Sequence, residues 1–247
     1  MGTLIVTGAS RGIGAATAIL AAEAGWDVVV NYRGNADAAA SVVSAIKDGG
    51  GRAIAVRGDV SSEAEVVSLF DAAESRLGPV TALVNNAGIL HHAAPVADIE
   101  VDRWQQTMDT NLRGAFLCAR EAVRRMALSR GGAGGCIVNL SSMAAILGGA
   151  GEFVDYAMSK GGVDALTIGL GKEVAADGIR VNGVRPGLID TDIHASTGDP
   201  GRAQRLASGV PMQRIGTARE VAGVIVWLLS DEASYMTATT LTVSGGR

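Results

Sequence analysis

Thr7–Gly14 reads TGASRGIG, entered by the apolar run Leu4–Thr7 and followed by a helical pattern. A strand, a glycine-rich turn and a helix in this order make a phosphate cradle. Gly8 permits the sharp turn, Gly12 lets the backbone approach a pyrophosphate, and Gly14 lets the helix pack closely on the strand. The first N–H groups of the helix then face the anion. The spacing is GxxxGxG rather than the commoner GxGxxG, so the bare motif also suits an ordinary strand–helix turn. Gly8–Gly12 matches a second pattern, the GxSxG nucleophile elbow of a serine hydrolase, with Ser10 as nucleophile. That reading needs an acid and a histidine downstream, and the chain's histidines are His91, His92 and His194. An elbow on the first strand also leaves no earlier strand to build an oxyanion hole.

Outward from this turn, short apolar runs recur at Asp27–Asn31, Ala53–Val56, Ala82–Asn85, Cys136–Leu140, Val181–Val184 and Thr240–Val243. Several are apolar throughout, as strands buried on both faces are. Between them apolar residues fall at helical spacing, as at Val66, Leu69, Phe70 and Ala73. Ser62 followed by Glu65 predicts a capping box. The alternation predicts an α/β fold, a doubly wound parallel sheet with helices on both faces. No repeat or linker divides the chain, so a single domain is expected over residues 1–247. The irregular stretch from Gly187 to about Gly216 follows a strand and is long for a connection. Such loops are usually functional, so a substrate lid is expected over about 188–216.

Composition narrows the class. Hydrophobic residues make up 48% and charged residues 19%, which suits a buried core and argues against disorder. Glycine, at 34 of 247, is about twice the average, so the chain makes many tight turns and close backbone approaches. The net charge of −4 and the lack of basic runs predict no nucleic-acid partner and no membrane surface. Cys118 and Cys136 form no CxxC pair, which excludes a disulfide framework and a Cys-rich zinc site and fits a reducing compartment. No metal is expected. MGTLIVTG lacks a basic leader region, and the apolar runs fall far short of the ~20 residues that span a bilayer. A cytoplasmic protein is expected.

YAMSK places Tyr156 and Lys160 four residues apart, on one helix face. A free phenol ionises near pH ~10, too high for a good base at neutral pH. A neighbouring ammonium favours the phenolate. A lone YxxxK also occurs on surface helices, but Ala, Gly, Val and Leu flank this one, and a buried lysine needs a reason.

TGASRGIG, Asp59-Val60, NNAG (Asn85–Gly88), Asn111, Ser141-Ser142, YAMSK and VRPGLIDT (Val184–Thr191) occur in the order seen in short-chain dehydrogenases/reductases, which the whole chain resembles. Members similar to it include 3-oxoacyl-(acyl-carrier-protein) reductases and glucose dehydrogenases. The resemblance implies a Rossmann-type domain with a seven-stranded parallel sheet, in a homotetramer or dimer. It implies hydride transfer between a nicotinamide dinucleotide and a small-molecule carbonyl or alcohol. Tyr156 then matches the catalytic acid/base, and Lys160 the residue that lowers its pKa and binds the ribose. Ser142, rather than Ser141, matches the serine on the substrate oxygen, and Asn111 the residue that holds a water beside Lys160. Gly8, Ser10, Arg11, Gly12, Ile13, Gly14, Asp59, Val60, Asn86, Ala87, Gly88, Pro186, Gly187, Ile189 and Thr191 match the cofactor-binding positions. Between Ser142 and Tyr156 the chain carries one residue more than is usual, within GGAGEFVD, which implies an altered pocket wall.

NAD-dependent members carry an acidic residue at the end of the second strand. This chain has Tyr32 there, followed by Arg33, and Arg11 lies in the glycine turn. Both arginines suit a 2′-phosphate, so NADP(H) is favoured, with NAD(H) and a sugar or polyol substrate as the alternative. A charged hydrogen bond of about 1.5–3 kcal/mol gives roughly tenfold to a hundredfold preference. A non-catalytic NADP sensor on the same fold is a further class, which an intact Ser142, Tyr156 and Lys160 argues against. His91, His92, Met143–Asp155 and the segment from Leu188 are the expected substrate lining. Ala175-Ala176-Asp177 ends the Tyr–Lys helix without the basic residue that carrier-protein reductases place there.

Overall fold

Alternate residues of each central strand feed opposite faces of one sheet. Leu4, Val6, Val28, Val30, Ala82, Val84 and Val138 join one hydrophobic cluster; Ile5, Val29, Leu83 and Ile137 join the other. A strand that must satisfy two apolar faces has no polar face left, which is why these runs are continuous. The computed structural model describes residues 1–191, 193, 201 and 205–247. Among them lie β1 (Thr3–Val6), β2 (Asp27–Tyr32), β3 (Ala53–Arg57), β4 (Val80–Asn85), β5 (Gly135–Leu140), β6 (Ile179–Pro186), β7 (Ile189–Asp190), β8 (Gly216–Thr217) and β9 (Thr240–Val243). The order β3-β2-β1-β4-β5-β6-β9 forms the expected seven-stranded sheet, and every pairing is parallel.

The helices are α1 (Gly12–Glu23), α2 (Ala36–Asp48), α3 (Glu63–Leu77), α4 (Val101–Met108), α5 (Gly114–Met126), α6 (Ala144–Leu147), α7 (Val154–Glu173) and α8 (Ala218–Leu229). Those flanking the sheet divide between its two faces. Residues of α1, α2 and α8 pack in the first cluster, and residues of α3 and α5 in the second. The chain winds outward from β1 in one direction and from β4 in the other. That reversal opens a crevice at the carboxyl ends of the strands, the usual ligand position in such sheets. Asp109–Arg113, between α4 and α5, is a π-helical turn.

Two local readings change. β6 runs from Ile179 to Pro186, longer than Val181–Val184, and its polar residues find internal partners. Arg180 donates to the Leu228 and Ser230 carbonyls, and Asn182 Nδ2 to that of Met236. Ser62 forms half a capping box: it accepts from the Glu65 N–H at 3.4 Å, but the Glu65 carboxylate turns to the Asp59 N–H at 2.9 Å. A complete box instead opens α8, between Thr217 and Glu220. Of the expected lid, residues 192, 194–200 and 202–204 lie outside the described residues. Its base is a parallel ladder, Ile189↔Gly216 and Asp190↔Thr217.

Candidate active site

The crevice begins at the glycine turn. Gly8 and Gly12 have φ of +60° and +56°, conformations that side-chain-bearing residues rarely adopt. A Cβ at Gly8 would meet the Ala87 backbone at 2.9 Å, and one at Gly14 the Gly8 carbonyl at 2.7 Å. The turn is clamped from both sides. Asn31 Oδ1 accepts from the Gly8 N–H, and Asn86 Nδ2 donates to the carbonyls of Thr7 and Gly8. The Thr7 hydroxyl accepts from the N–H groups of Asn86 and Ala87, tying the end of β1 to NNAG. Arg11 precedes α1 without a side-chain cap, so the first-turn donors are left to an anion.

Gly8, Ser10, Arg11, Gly12, Ile13, Arg33, Asp59, Val60, Asn86, Ala87, Gly88 and Thr191 line this half of the crevice. Tyr32 does not; it packs against the cluster beneath α1 and α2. Arg33 is largely exposed and reaches Asp59 at 3.5 Å. Asp59 also accepts from the Ser61 N–H and hydroxyl. Those two bonds and Arg33 outweigh the cost of burial and hold its carboxyl below the usual value. The phosphate-sized turn, the free helix start and the flanking arginines fit a dinucleotide.

The second half continues from Ile13, Asn86, Gly88, Thr191 and Ile193 to Ser142, Tyr156, Lys160, Pro186, Gly187 and Ile189. Its far walls are Leu90, Met143, Phe153 and Leu188, with Glu152 and Arg247 also in the lining. Met143, Glu152 and Phe153 fall within the expected Met143–Asp155 lining, whereas Arg247 carried no signal in the sequence. His91 and His92, expected in the lining, are not part of it; His91 Nε2 is buried without a hydrogen-bond partner among the described residues. Burial and the nearby Arg103 charge hold its pKa down.

The two serines separate cleanly. Ser141 is buried and donates to the Lys160 carbonyl at 3.2 Å. Ser142 is half-buried, lines the crevice with Tyr156 and accepts from the Ala144 N–H at 3.1 Å. Lys160 is 4% exposed; its Nζ lies 5.7 Å from the Tyr156 ring centre. Burial pushes the Lys160 ammonium down to about 8, against the pull of Asp164. Burial likewise pushes the Tyr156 phenol above its ordinary value, with the Ser142 hydroxyl opposing it. The lowering expected from Lys160 is therefore not what sets the phenol in the protein itself, where burial dominates.

Asn111 sits in the π-helical turn and is 1% exposed. Its side chain accepts from the Ile89 N–H and donates to the Ile89 carbonyl and the Ser159 hydroxyl. None of these bonds is to Lys160, but a Cβ on Gly88 would lie 3.5 Å from Asn111 Oδ1 and 3.6 Å from Lys160 Nζ. Gly88 thus leaves the space between them. The start of α7 is held by a buried ion pair, Arg103 Nε and Nη2 to the two Asp155 oxygens at 2.9 and 3.1 Å.

A family model described as enoyl-(acyl carrier protein) reductase matches residues 8–247. The chain belongs to the short-chain dehydrogenase/reductase family. It is 53% identical to the uncharacterized oxidoreductase YgfF of Escherichia coli strain K12, over 100% of both chains. It is 43% identical to 3beta-hydroxysteroid dehydrogenase 1 of Eggerthella lenta, covering 99% of this chain and 92% of that one. The crystal structure of a dehydrogenase/reductase from Sinorhizobium meliloti 1021 superposes with a TM-score of 0.91 at 33% identity, covering 99% and 94% of the two chains.

As a short-chain dehydrogenase/reductase, the protein is an oxidoreductase of CH–OH donors in a family that binds NAD(P). That replaces the hydrolase and sensor readings. Among the described residues, no histidine lines the pocket that holds Ser10. Asn31 and Arg103 were not signalled by the sequence, and neither were the supporting bonds of Ser159, inside YAMSK, and of Asp155, at the end of the expected lining. Each acts through a partner far along the chain, which no local pattern signals.

Proposed function

We propose that the protein interconverts a carbonyl compound and a secondary alcohol with NADP(H), using Ser142, Tyr156 and Lys160. The observation that carries this is the meeting of Ser142 and Tyr156 in one crevice with a buried ammonium beside the Tyr156 ring. A bound nicotinamide dinucleotide supplies or accepts the hydride. In reduction Tyr156 gives its phenolic proton to the carbonyl oxygen, and in oxidation it takes the hydroxyl proton. The Ser142 hydroxyl donates to the same oxygen, which orients it and stabilises developing charge. Lys160 would hold the ribose hydroxyls and favour the phenolate, and Asn111 would keep a water within reach of it.

Arg11 and Arg33 would face a 2′-phosphate, while the glycine turn and the NNAG segment hold the rest of the dinucleotide. Pro186, Gly187, Ile189 and Thr191 would frame the nicotinamide. The apolar far walls favour a ketone with a hydrophobic flank over a polyol. We further assign the chain as one catalytic domain in a cytoplasmic homotetramer; among the described residues no helix is long and apolar enough to cross a membrane. A panel of ketones with NADPH and NADH, and alcohols with the oxidised forms, followed at the nicotinamide absorbance, tests the reading. Activity confined to NADH and polyols would overturn it.

A further inference from the structure

We propose that Asp164 is the built-in counter-charge of Lys160, held in place and partly neutralised by Arg185. It is thus a positioning residue for proton transfer, and this rests on the role given to Lys160 above. Asp164 stands one turn beyond Lys160 on α7, on the same helix face. Its side chain is 14% exposed, and one oxygen accepts from Arg185 Nε at 2.8 Å. The other oxygen, Oδ1, is buried without a hydrogen-bond partner among the described residues. A buried carboxylate oxygen left unpaired is costly and calls for an explanation. A cation in its field supplies one.

Lys160 needs such a charge. Its Nζ is enclosed by the uncharged Leu140 carbonyl at 2.6 Å and the Tyr156 ring, with the uncharged Asn111 and Gly88 beyond. Burial favours the neutral amine, and Asp164 is the charged group that opposes it. Arg185 lies on β6, immediately before Pro186 at the cleft wall. Its guanidinium fixes the Asp164 carboxylate and at the same time weakens the field that reaches Lys160. The two residues therefore act on Lys160 with opposite sign.

This opposition gives the test. The chain has three lysines, Lys47, Lys160 and Lys172, so the 13Cε resonance of Lys160 can be assigned with Lys47→Arg and Lys172→Arg and titrated directly in the full-length protein. Lys160 should titrate near pH 8 in the wild type. Asp164→Asn should lower that midpoint by about one pH unit, and Arg185→Gln should raise it. Asp164→Glu should restore the wild-type value. The alkaline limb of NADPH affinity should follow the same order. If Asp164→Asn does not fold, Arg185→Gln decides alone, since it keeps the carboxylate. An unmoved midpoint, or movement in the same direction in both variants, overturns the proposal. Opposite movements with full reductase activity in Tyr156→Phe would uphold the counter-charge and overturn the acid–base reading instead.

Discussion

Lys160 Nζ donates to the Leu140 carbonyl at 2.6 Å, a bond that anchors the ammonium at the carboxyl end of β5. Its titration near 8 lies below the ordinary 10.5, so between these values the unfolded chain binds the proton more tightly. Stability therefore rises with pH across that window, and the full cost of the buried charge is present at pH 7. Lys160→Met should raise the Tm at pH 7 while abolishing turnover, and the gain over wild type should shrink by pH 10. A variant that melts earlier at pH 7 would show that the ammonium is a net stabiliser.

Tyr156→Phe keeps the ring and removes the proton. The fold and cofactor affinity should be unchanged, and kcat should fall by at least ~10²-fold in both directions, the usual scale of general acid–base work. Circular dichroism, a cofactor titration and steady-state kinetics check the three parts separately.

The phenol of Tyr156 starts above its ordinary value of 10.0 because burial dominates. A cationic oxidised nicotinamide beside it should reverse the direction. Phenolate absorbance, taken as the wild-type minus Tyr156→Phe difference, should show ionisation above pH 10 in the protein alone and below it with NADP+. Alcohol oxidation should rise with pH through the lower of the two.

Arg33→Asp should move kcat/KM from NADP toward NAD, because it removes an attraction for the 2′-phosphate and adds a repulsion. Arg11 remains, so the reversal should be partial, yet larger than that of Arg33→Ala. Since Tyr32 packs inward, Tyr32→Asp should cost stability as well as alter preference. Equal ratios in all variants would reduce Arg33 to a solvated residue paired with Asp59.

Arg103 and Asp155 are 15% and 2% exposed and meet face to face. Arg103→Met should cost about 3–5 kcal/mol by stranding the Asp155 charge, and Arg103→Met/Asp155→Leu should recover most of that loss. Urea denaturation measures both. The double variant should still lose activity if the pair sets the angle at which α7 presents Tyr156.

The glycine turn and the Tyr–Lys pair were legible because each imposes a local requirement: backbone freedom at Gly8 and Gly12, and helical spacing at Tyr156 and Lys160. The sheet was legible because two buried faces force continuous apolar runs. The polar framework was not. Asn85 donates to Asn139, which donates to Thr167, three residues scattered along the sequence that satisfy one another inside the core. Asn31 and Asn86 both clamp the glycine turn, yet only Asn86 sits in a recognisable motif. Side chains whose partners lie tens of residues away carry no periodicity, and a capping box predicts its second bond only if the glutamate has no better donor nearby.

The two rungs joining Ile189–Asp190 to Gly216–Thr217 fix the separation of two anchor points, regardless of the chain that runs between them. Doubling that chain's length would add only about 0.6 kcal/mol of closure entropy. The scaffold thus tolerates a change of length between Ile193 and Arg205 at little cost. Thr191 and Ile193 at the start of the insert still line the dinucleotide cradle, and Val210 and Met212 near its end still rest on Gly245, so divergence is confined to the middle.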